Sequence, residues 1–128
     1  METLTIQGTA KTPTVEMNVD SGIIEIKGRS IPENSIDFYR PIVEWIDKYA
    51  DSAAPETKVN IQLEYFNTSS SKCILDVFKK LEQVFKKNGD KGVVINWFYE
   101  EDDEDMLEAG EDYQSILKIP FKMIEIED

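Results

Sequence analysis

The chain has 128 residues, of which 41% are hydrophobic, so it is long enough to form one domain with a buried core. Its formal net charge of −12 argues against nucleic acid and anionic membranes as partners, because both bind mainly through Lys and Arg. The absence of histidine excludes imidazole catalysis, and a single cysteine, Cys73, excludes an internal disulfide. Residues 1–8 lack signal-peptide features and no apolar run is long enough to span a membrane, so we expect a cytoplasmic protein.

The first elements predicted along the chain are strands. Residues 4–7 are a short candidate, and residues 15–19 alternate between apolar and polar side chains. A turn at residues 20–22 leads into a further strand at residues 23–27, which ends at Gly28. These segments predict an antiparallel hairpin.

A helix is predicted next, beginning near Asn34 or Ser35, which are both good N-cap residues. Apolar side chains recur at helical spacing between residues 36 and 49. Pro41 lies inside this pattern. Either the main helix begins at Pro41 after a short turn, or the helix bends there.

The middle of the chain predicts a strand, a helix and a parallel strand. Residues 58–66 alternate strictly, which predicts that Tyr65 shares the buried face. An apolar stripe predicts a helix from the end of that strand to Lys87, and residues 92–99 are apolar on both faces, as in a covered parallel strand. A helix at residues 106–117 and a strand at 121–126 complete a single α/β domain over residues 1–128. We also expect Trp45, Trp97 and Phe66 in the core.

A strand is predicted to end and a helix to begin at the segment Asn67, Thr68, Ser69, Ser70 and Ser71. In α/β sheets, binding sites commonly lie at such carboxyl ends of strands. The first turn of a helix favours an anion or a phosphorylated side chain, because its N–H groups are unpaired and its dipole end is positive. The alternative is that Thr68 or Ser69 is simply the N-cap of the helix.

Most of the negative charge is C-terminal, since residues 100–128 hold 12 acidic and 2 basic side chains, a net charge of −10. The acidic run at residues 100–105 has three interpretations. Asp102, Asp103 and Asp105 could bind Mg²⁺ or Ca²⁺, although the spacing is not that of an EF-hand. The run could instead dock a basic partner, or be a solvated helix start.

Two further side chains are candidates for chemistry. Arg29 could bind a phosphate through two hydrogen bonds from its guanidinium, or it could pair with a carboxylate in its own loop. Cys73 lies about one turn into a predicted helix, where its pKa could be lowered. In a chain without histidine, we expect it to be a small buried residue instead.

Four segments, taken together, carry a resemblance to a known family: Thr-Pro-Thr-Val at 12–15, Gly-Arg-Ser-Ile-Pro-Glu-Asn-Ser at 28–35, Tyr-Phe-Asn-Thr-Ser-Ser-Ser-Lys at 65–72, and Trp-Phe-Tyr-Glu-Glu-Asp-Asp-Glu-Asp-Met at 97–106. The chain resembles the SiaC-like bacterial regulatory phosphoproteins. The resemblance implies a mixed sheet with helices, similar to anti-sigma factor antagonists (STAS-like). It also implies that the threonine of the third segment, Thr68, is phosphorylated by a kinase of the histidine-kinase-like ATPase type.

The same resemblance implies that a PP2C-type phosphatase removes this phosphate. The unphosphorylated form would bind and activate a diguanylate cyclase, which raises cyclic di-GMP and promotes biofilm formation. We therefore expect a switch protein without a cofactor or catalytic activity. Asn67, Ser69 and Ser70 would shape the helix start, and Arg29, Asp102, Asp103 and Asp105 would flank the partner surface. The rival hypothesis is a carboxylate- and metal-dependent phosphohydrolase that uses the acidic run.

Overall fold

The computed structural model describes residues 2–127. Its six strands form one mixed sheet in sequence order: β1 (Leu4–Ile6), β2 (Thr14–Asn18), β3 (Ile23–Ser30), β4 (Thr57–Phe66), β5 (Val93–Glu100) and β6 (Phe121–Ile126). Strands β1 to β3 are antiparallel, as the predicted hairpin requires, and β3 to β6 are parallel. The helices α1 (Ser35–Tyr49), α2 (Thr68–Lys87) and α3 (Glu104–Ile116) connect the parallel strands. The predicted α/β class is confirmed.

All three helices pack against the same face of the sheet. Tyr49 of α1 is hydrogen-bonded to Thr57 of β4, and Phe78 of α2 and Tyr113 of α3 both contact the fully buried Trp97 of β5. Within residues 2–127 no helix covers the opposite face. The prediction that the strand at residues 92–99 is covered on both sides is therefore wrong, and alternate residues of β5 are only half-buried.

Helix α1 is continuous through Pro41, so the alternative in which the main helix begins at Pro41 is wrong. Asn34 is the N-cap, and its side-chain oxygen accepts a hydrogen bond from the N–H of Asp37 at 3.1 Å. A proline inside a helix costs about 3 kcal/mol. Burial of large side chains stabilises the folded chain by about 1.5–3 kcal/mol each, so the buried face outweighs that cost. That face consists of Tyr39, Ile42, Trp45, Ile46 and Tyr49.

A β-bulge near the end of β4 changes which side chains face the core. Gly28 pairs with Leu63 but Arg29 pairs with Tyr65, so Glu64 is an extra residue in β4. The alternation reverses after the bulge. Tyr65 is 53% exposed, whereas Phe66 packs against the core with its ring 6.1 Å from that of Trp97. The predicted core position of Tyr65 is wrong, and those of Phe66, Trp45 and Trp97 are confirmed.

The ends of β4 and β5 separate from each other. Their pairing stops at Ile61 and Trp97, although β4 remains paired with β3 as far as Phe66 and β5 remains paired with β6 as far as Glu100. The strand β3 also extends past its predicted end at Gly28 to Ser30. The carboxyl ends of β3, β4 and β5 thus place the starts of α1, α2 and α3 along one edge of the molecule.

Candidate functional site

The starts of α1 and α2 are joined to the end of β3 by a buried hydroxyl network. The Ser30 hydroxyl donates to the Ser70 hydroxyl at 2.9 Å, and the Ser70 hydroxyl donates to the Ser30 carbonyl oxygen at 3.0 Å. The hydroxyls of Ser30 and Tyr39 lie 2.6 Å apart. Buried polar groups are tolerated only when they are hydrogen-bonded, and each of these hydroxyls has a partner. The network therefore fixes where α2 begins.

Asn67 is the N-cap of α2. Its side-chain oxygen accepts from the backbone N–H of Ser70 at 2.9 Å and from the hydroxyl of Ser69 at 3.2 Å. Its own N–H donates to the carbonyl oxygen of Ser30 at 3.1 Å. The alternative in which Thr68 or Ser69 is the N-cap is wrong, because Thr68 is already the first helical residue. The predicted role of Asn67, Ser69 and Ser70 in shaping the helix start agrees with these hydrogen bonds.

The four consecutive hydroxyl side chains of residues 68–71 differ in what they contact. Ser70 is fully buried, and the hydroxyl of Ser71 accepts a hydrogen bond from Tyr113 at 3.3 Å. Ser69 is exposed, but its hydroxyl oxygen lies 2.7 Å from that of Ser35 and donates to Asn67. Thr68 is exposed, and its hydroxyl has no hydrogen-bond partner among residues 2–127. Of the four, only Thr68 can react without breaking a contact.

Burial keeps the ionisable groups around this network neutral. It raises the pKa of Tyr39 well above the usual tyrosine value, against a smaller lowering by the hydrogen bond between Tyr39 and Ser30. Burial also raises the pKa of Tyr113. The pKa of the Cys73 thiol is raised by burial first and by the carboxylate of Asp76 second. Cys73 is 8% exposed, so the predicted small buried residue is confirmed and a reactive thiolate is not favoured.

Arg29 lies at the end of β3, beside the exposed Tyr65 in the β3–β4 pairing, and its side chain is exposed. It forms no ion pair with a carboxylate within residues 2–127. The interpretation as a loop-stabilising pair is therefore wrong. An exposed guanidinium at the carboxyl edge of the sheet remains able to contact a charged partner.

The acidic run begins at the end of β5 and continues into α3. Asp103 is the N-cap of α3, and its side-chain oxygen accepts from the N–H of Met106 at 3.0 Å. This cap explains why α3 begins at Glu104, two residues before the predicted start. Asp102 and Asp105 are exposed. In the described part of the chain, no three side chains of metal-binding type lie close enough to share an ion. The geometry does not favour the metal-dependent phosphohydrolase.

Ser30, Ser35 and Tyr39 belong to the site, although the sequence did not single them out as site residues. Ser30 lies 40 residues before Ser70, and Ser35 lies 34 residues before Ser69, so no local sequence pattern joins these contacts. The only signal is that Ser30 and Ser35 belong to the segment at residues 28–35 that carries the family resemblance.

No helix described between residues 2 and 127 has the length and apolarity that a bilayer span requires.

Comparisons with known proteins show which family and which solved structures this chain is similar to. An uncharacterised protein of Pseudomonas aeruginosa (strain UCBPP-PA14) is 28% identical over 121 residues, which cover 94% of each chain. A chain in the crystal structure of the diguanylate cyclase SiaD in complex with its activator SiaC, from P. aeruginosa, matches with TM-score 0.88. The two chains are 27% identical, and the match covers 96% of this chain and 99% of that one.

The crystal structure of apo-SiaC from the same organism matches with TM-score 0.86 and 27% identity, over 97% of this chain and 99% of that chain. The sequence profile of the SiaC family regulatory phosphoproteins matches residues 6–126. This profile match spans nearly the whole chain and includes the Asn67 cap, the hydroxyl run and the acidic run. The chain belongs to the SiaC family of regulatory phosphoproteins.

Proposed function

We propose that this protein is a phosphorylation-controlled interaction switch and that the hydroxyl oxygen of Thr68 accepts the phosphate. The observation that carries the proposal is the difference among the four hydroxyls at the start of α2. Thr68 alone is both exposed and without a hydrogen bond in the described chain, so a kinase can reach it without disturbing the fold. Ser69, Ser70 and Ser71 each hold a neighbouring element in place.

The position of Thr68 suits a phosphate. The N–H groups of Thr68 and Ser69 precede the first intrahelical hydrogen bonds, and α2 has no acidic side chain in its first turn. A phosphate adds about −1.5 to −2 charge, which the positive end of the helix dipole stabilises. The folded state therefore tolerates the modification. A partner that buries the helix start would have to desolvate this dianion, which costs several kcal/mol unless the charge is paired.

The partners in this proposal are a kinase with a histidine-kinase-like ATPase fold, a PP2C-type phosphatase and a diguanylate cyclase. The diguanylate cyclase is supported as a partner by the similarity of this chain to a chain in the complex of SiaD with its activator SiaC. The protein acts in the cytoplasm by binding and not by catalysis, and needs no cofactor. The exposed Arg29, Asp102 and Asp105 are the side chains that contact partners, together with Asp103 at the start of α3.

The experiment is a pull-down of the diguanylate cyclase with and without kinase and ATP, with intact mass measured on each sample. The unmodified protein is expected to gain one phosphate and to lose its partner. Thr68→Ala is expected to gain no phosphate and to keep its partner under both conditions. Ser69→Ala is the matched control, because it removes the neighbouring exposed hydroxyl, and it is expected to behave like the unmodified protein.

Two results would contradict the proposal. One is a folded Thr68→Ala protein that still gains phosphate and loses its partner when kinase and ATP are added. The other is a Ser69→Ala protein that gains no phosphate. A Thr68→Asp variant is expected to bind more weakly than the unmodified protein without losing binding, because one carboxylate carries less charge than a phosphate.

A further inference from the structure

A cleft lies between the separated ends of β4 and β5, on the face of the sheet that no helix covers. It encloses about 370 Å³, within the range of cavities that hold a ligand or an inserted side chain. Its walls include Lys27 and Gln62, from β3 and β4, and Phe98 and Ile126, from β5 and β6. The cleft exists because β4 and β5 are no longer paired beyond Ile61 and Trp97.

The floor of this cleft is the end of an apolar strip on an otherwise polar sheet face. On the uncovered face, the half-buried side chains Phe98, Ile124 and Ile126 of β5 and β6 lie together, and the polar Asn96 and Lys122 separate them from Val94. The same face of the neighbouring strands is mostly polar, with Glu16, Glu25, Lys27, Lys58, Asn60, Gln62 and Glu64. An apolar strip bordered by polar side chains is the arrangement found at protein interaction surfaces.

The charges around the cleft determine which partner fits. Glu64, Glu100 and Asp103 line it together with one basic side chain, Lys27. The acidic run continues from its rim into α3. A second copy of this chain would bring another net charge of −12 to an acidic surface, so self-association through the cleft is disfavoured. Lys or Arg side chains of a partner would complement these carboxylates.

We propose that the cleft between β4 and β5 docks a basic segment of a partner protein, which inserts an apolar side chain against Phe98 and Ile126. Its Lys or Arg side chains lie against Glu64 and the acidic run. This surface is distinct from the start of α2, which packs with the helices on the other face of the sheet. None of the residues that line the cleft belongs to the start of α2.

The test uses the full chain without phosphate and three fluorescent peptides of about twelve residues. The first alternates Lys with Leu and carries one Trp, the second replaces each Lys with Glu, and the third replaces the Leu and Trp residues with Ser. Binding is measured by fluorescence anisotropy, and the site is located by amide chemical shifts. Only the first peptide is expected to bind, with the largest shifts at residues 62–64 and 98–100.

Charge reversals at two places on the same sheet face test the site. Glu64→Lys is expected to weaken binding about tenfold or more, as for loss of a close charge pair. Glu16→Lys makes the same change in net charge on β2, away from the cleft, and is expected to weaken binding less than about twofold. Glu64→Gln keeps the shape of the side chain but removes its charge, so it is also expected to weaken binding.

Several outcomes would overturn this inference. One is that Glu64→Lys and Glu16→Lys weaken peptide binding equally. Another is that all three peptides bind equally, and a third is that the first peptide does not bind at millimolar concentration. Largest shifts in the groove between α1 and α2, which Ile36 and Val43 line, would also overturn it. So would sedimentation showing a dimer of this chain that Glu64→Lys dissociates.

Discussion

Asn67 connects the end of β4 to the start of α2 through three hydrogen bonds. Its side chain holds Ser69 and Ser70, and its backbone N–H is held by the carbonyl oxygen of Ser30. These bonds fix the backbone on both sides of Thr68 while leaving its hydroxyl outside the network. At the scale of single residues, Asn67 therefore holds the start of α2, and the neighbouring Thr68 hydroxyl is the group that can be modified.

A pair of substitutions tests this division. Asn67→Ala is expected to lower the free energy of unfolding by about 1 kcal/mol, because the helix loses its N-cap. Thr68→Ala is expected to change it by less than about 0.5 kcal/mol, since the hydroxyl has no partner in the described chain. Urea denaturation followed by circular dichroism measures both values. Equal destabilisation by the two substitutions would show that the Thr68 side chain also caps α2.

At the scale of elements, the backbone of α3 at Gly110 packs directly on the side chain of Trp97 in β5. Gly110 of α3 faces Trp97, and a Cβ at this position would lie 2.5 Å from the Cδ1 atom of the indole ring. Trp97 is fully buried, and its indole N–H donates to the carbonyl oxygen of Met106 at 3.0 Å. The hydrogen bond and the surrounding core therefore hold the ring in place. This close approach places the start of α3, and with it the acidic run, at the end of β5.

Substitution of Gly110 sets two effects against each other. Alanine favours a helix over glycine by about 1 kcal/mol. The added Cβ, however, overpacks the core against Trp97, and overpacking typically costs about 1–3 kcal/mol. Because Trp97 is held in place, we expect Gly110→Ala to lower the midpoint of thermal unfolding and to alter the near-ultraviolet circular dichroism of the tryptophan. A higher midpoint would mean that α3 moves away from β5 at little cost.

At the scale of the whole molecule, most of the negative charge lies in the C-terminal segment, but the carboxylates there do not surround a common point. The run at residues 100–105 passes from the end of β5 through a turn into α3, so successive side chains point in different directions. A hard cation such as Ca²⁺ needs six to eight oxygen ligands around one point. The charge is therefore suited to attracting a basic partner over a distance and not to holding an ion.

Calorimetric titration with Mg²⁺ and Ca²⁺ tests this conclusion. We expect only weak binding that falls as salt is added, because exposed charges are screened at moderate ionic strength. The double variant Asp103→Asn with Asp105→Asn is expected to change the signal little. A site of micromolar affinity that this double variant abolishes would instead support the metal-dependent phosphohydrolase.

The sequence predicted most elements because their signals are local. Helical spacing of apolar residues identified α1 and α2, and alternation identified β2 and β4. The position of Tyr65 was predicted wrongly, because a bulge depends on pairing with β3 and leaves no mark in the alternation of β4 itself. The uncovered face of β5 was missed for a related reason. The apolar residues on that face predict burial, whereas the connections through α1, α2 and α3 place every helix on the other side.

For the functional site, the sequence by itself determined the family resemblance and the run of hydroxyls at the start of a helix. It also determined the acidic segment, because composition and helix start signals are properties of neighbouring residues. Only the tertiary structure decided which hydroxyl is available. Ser30 and Ser35 reach Ser70 and Ser69 across 40 and 34 residues of chain, and these contacts exist only once β3, α1 and α2 have packed together. The accessibility of Thr68 is therefore a property of the fold.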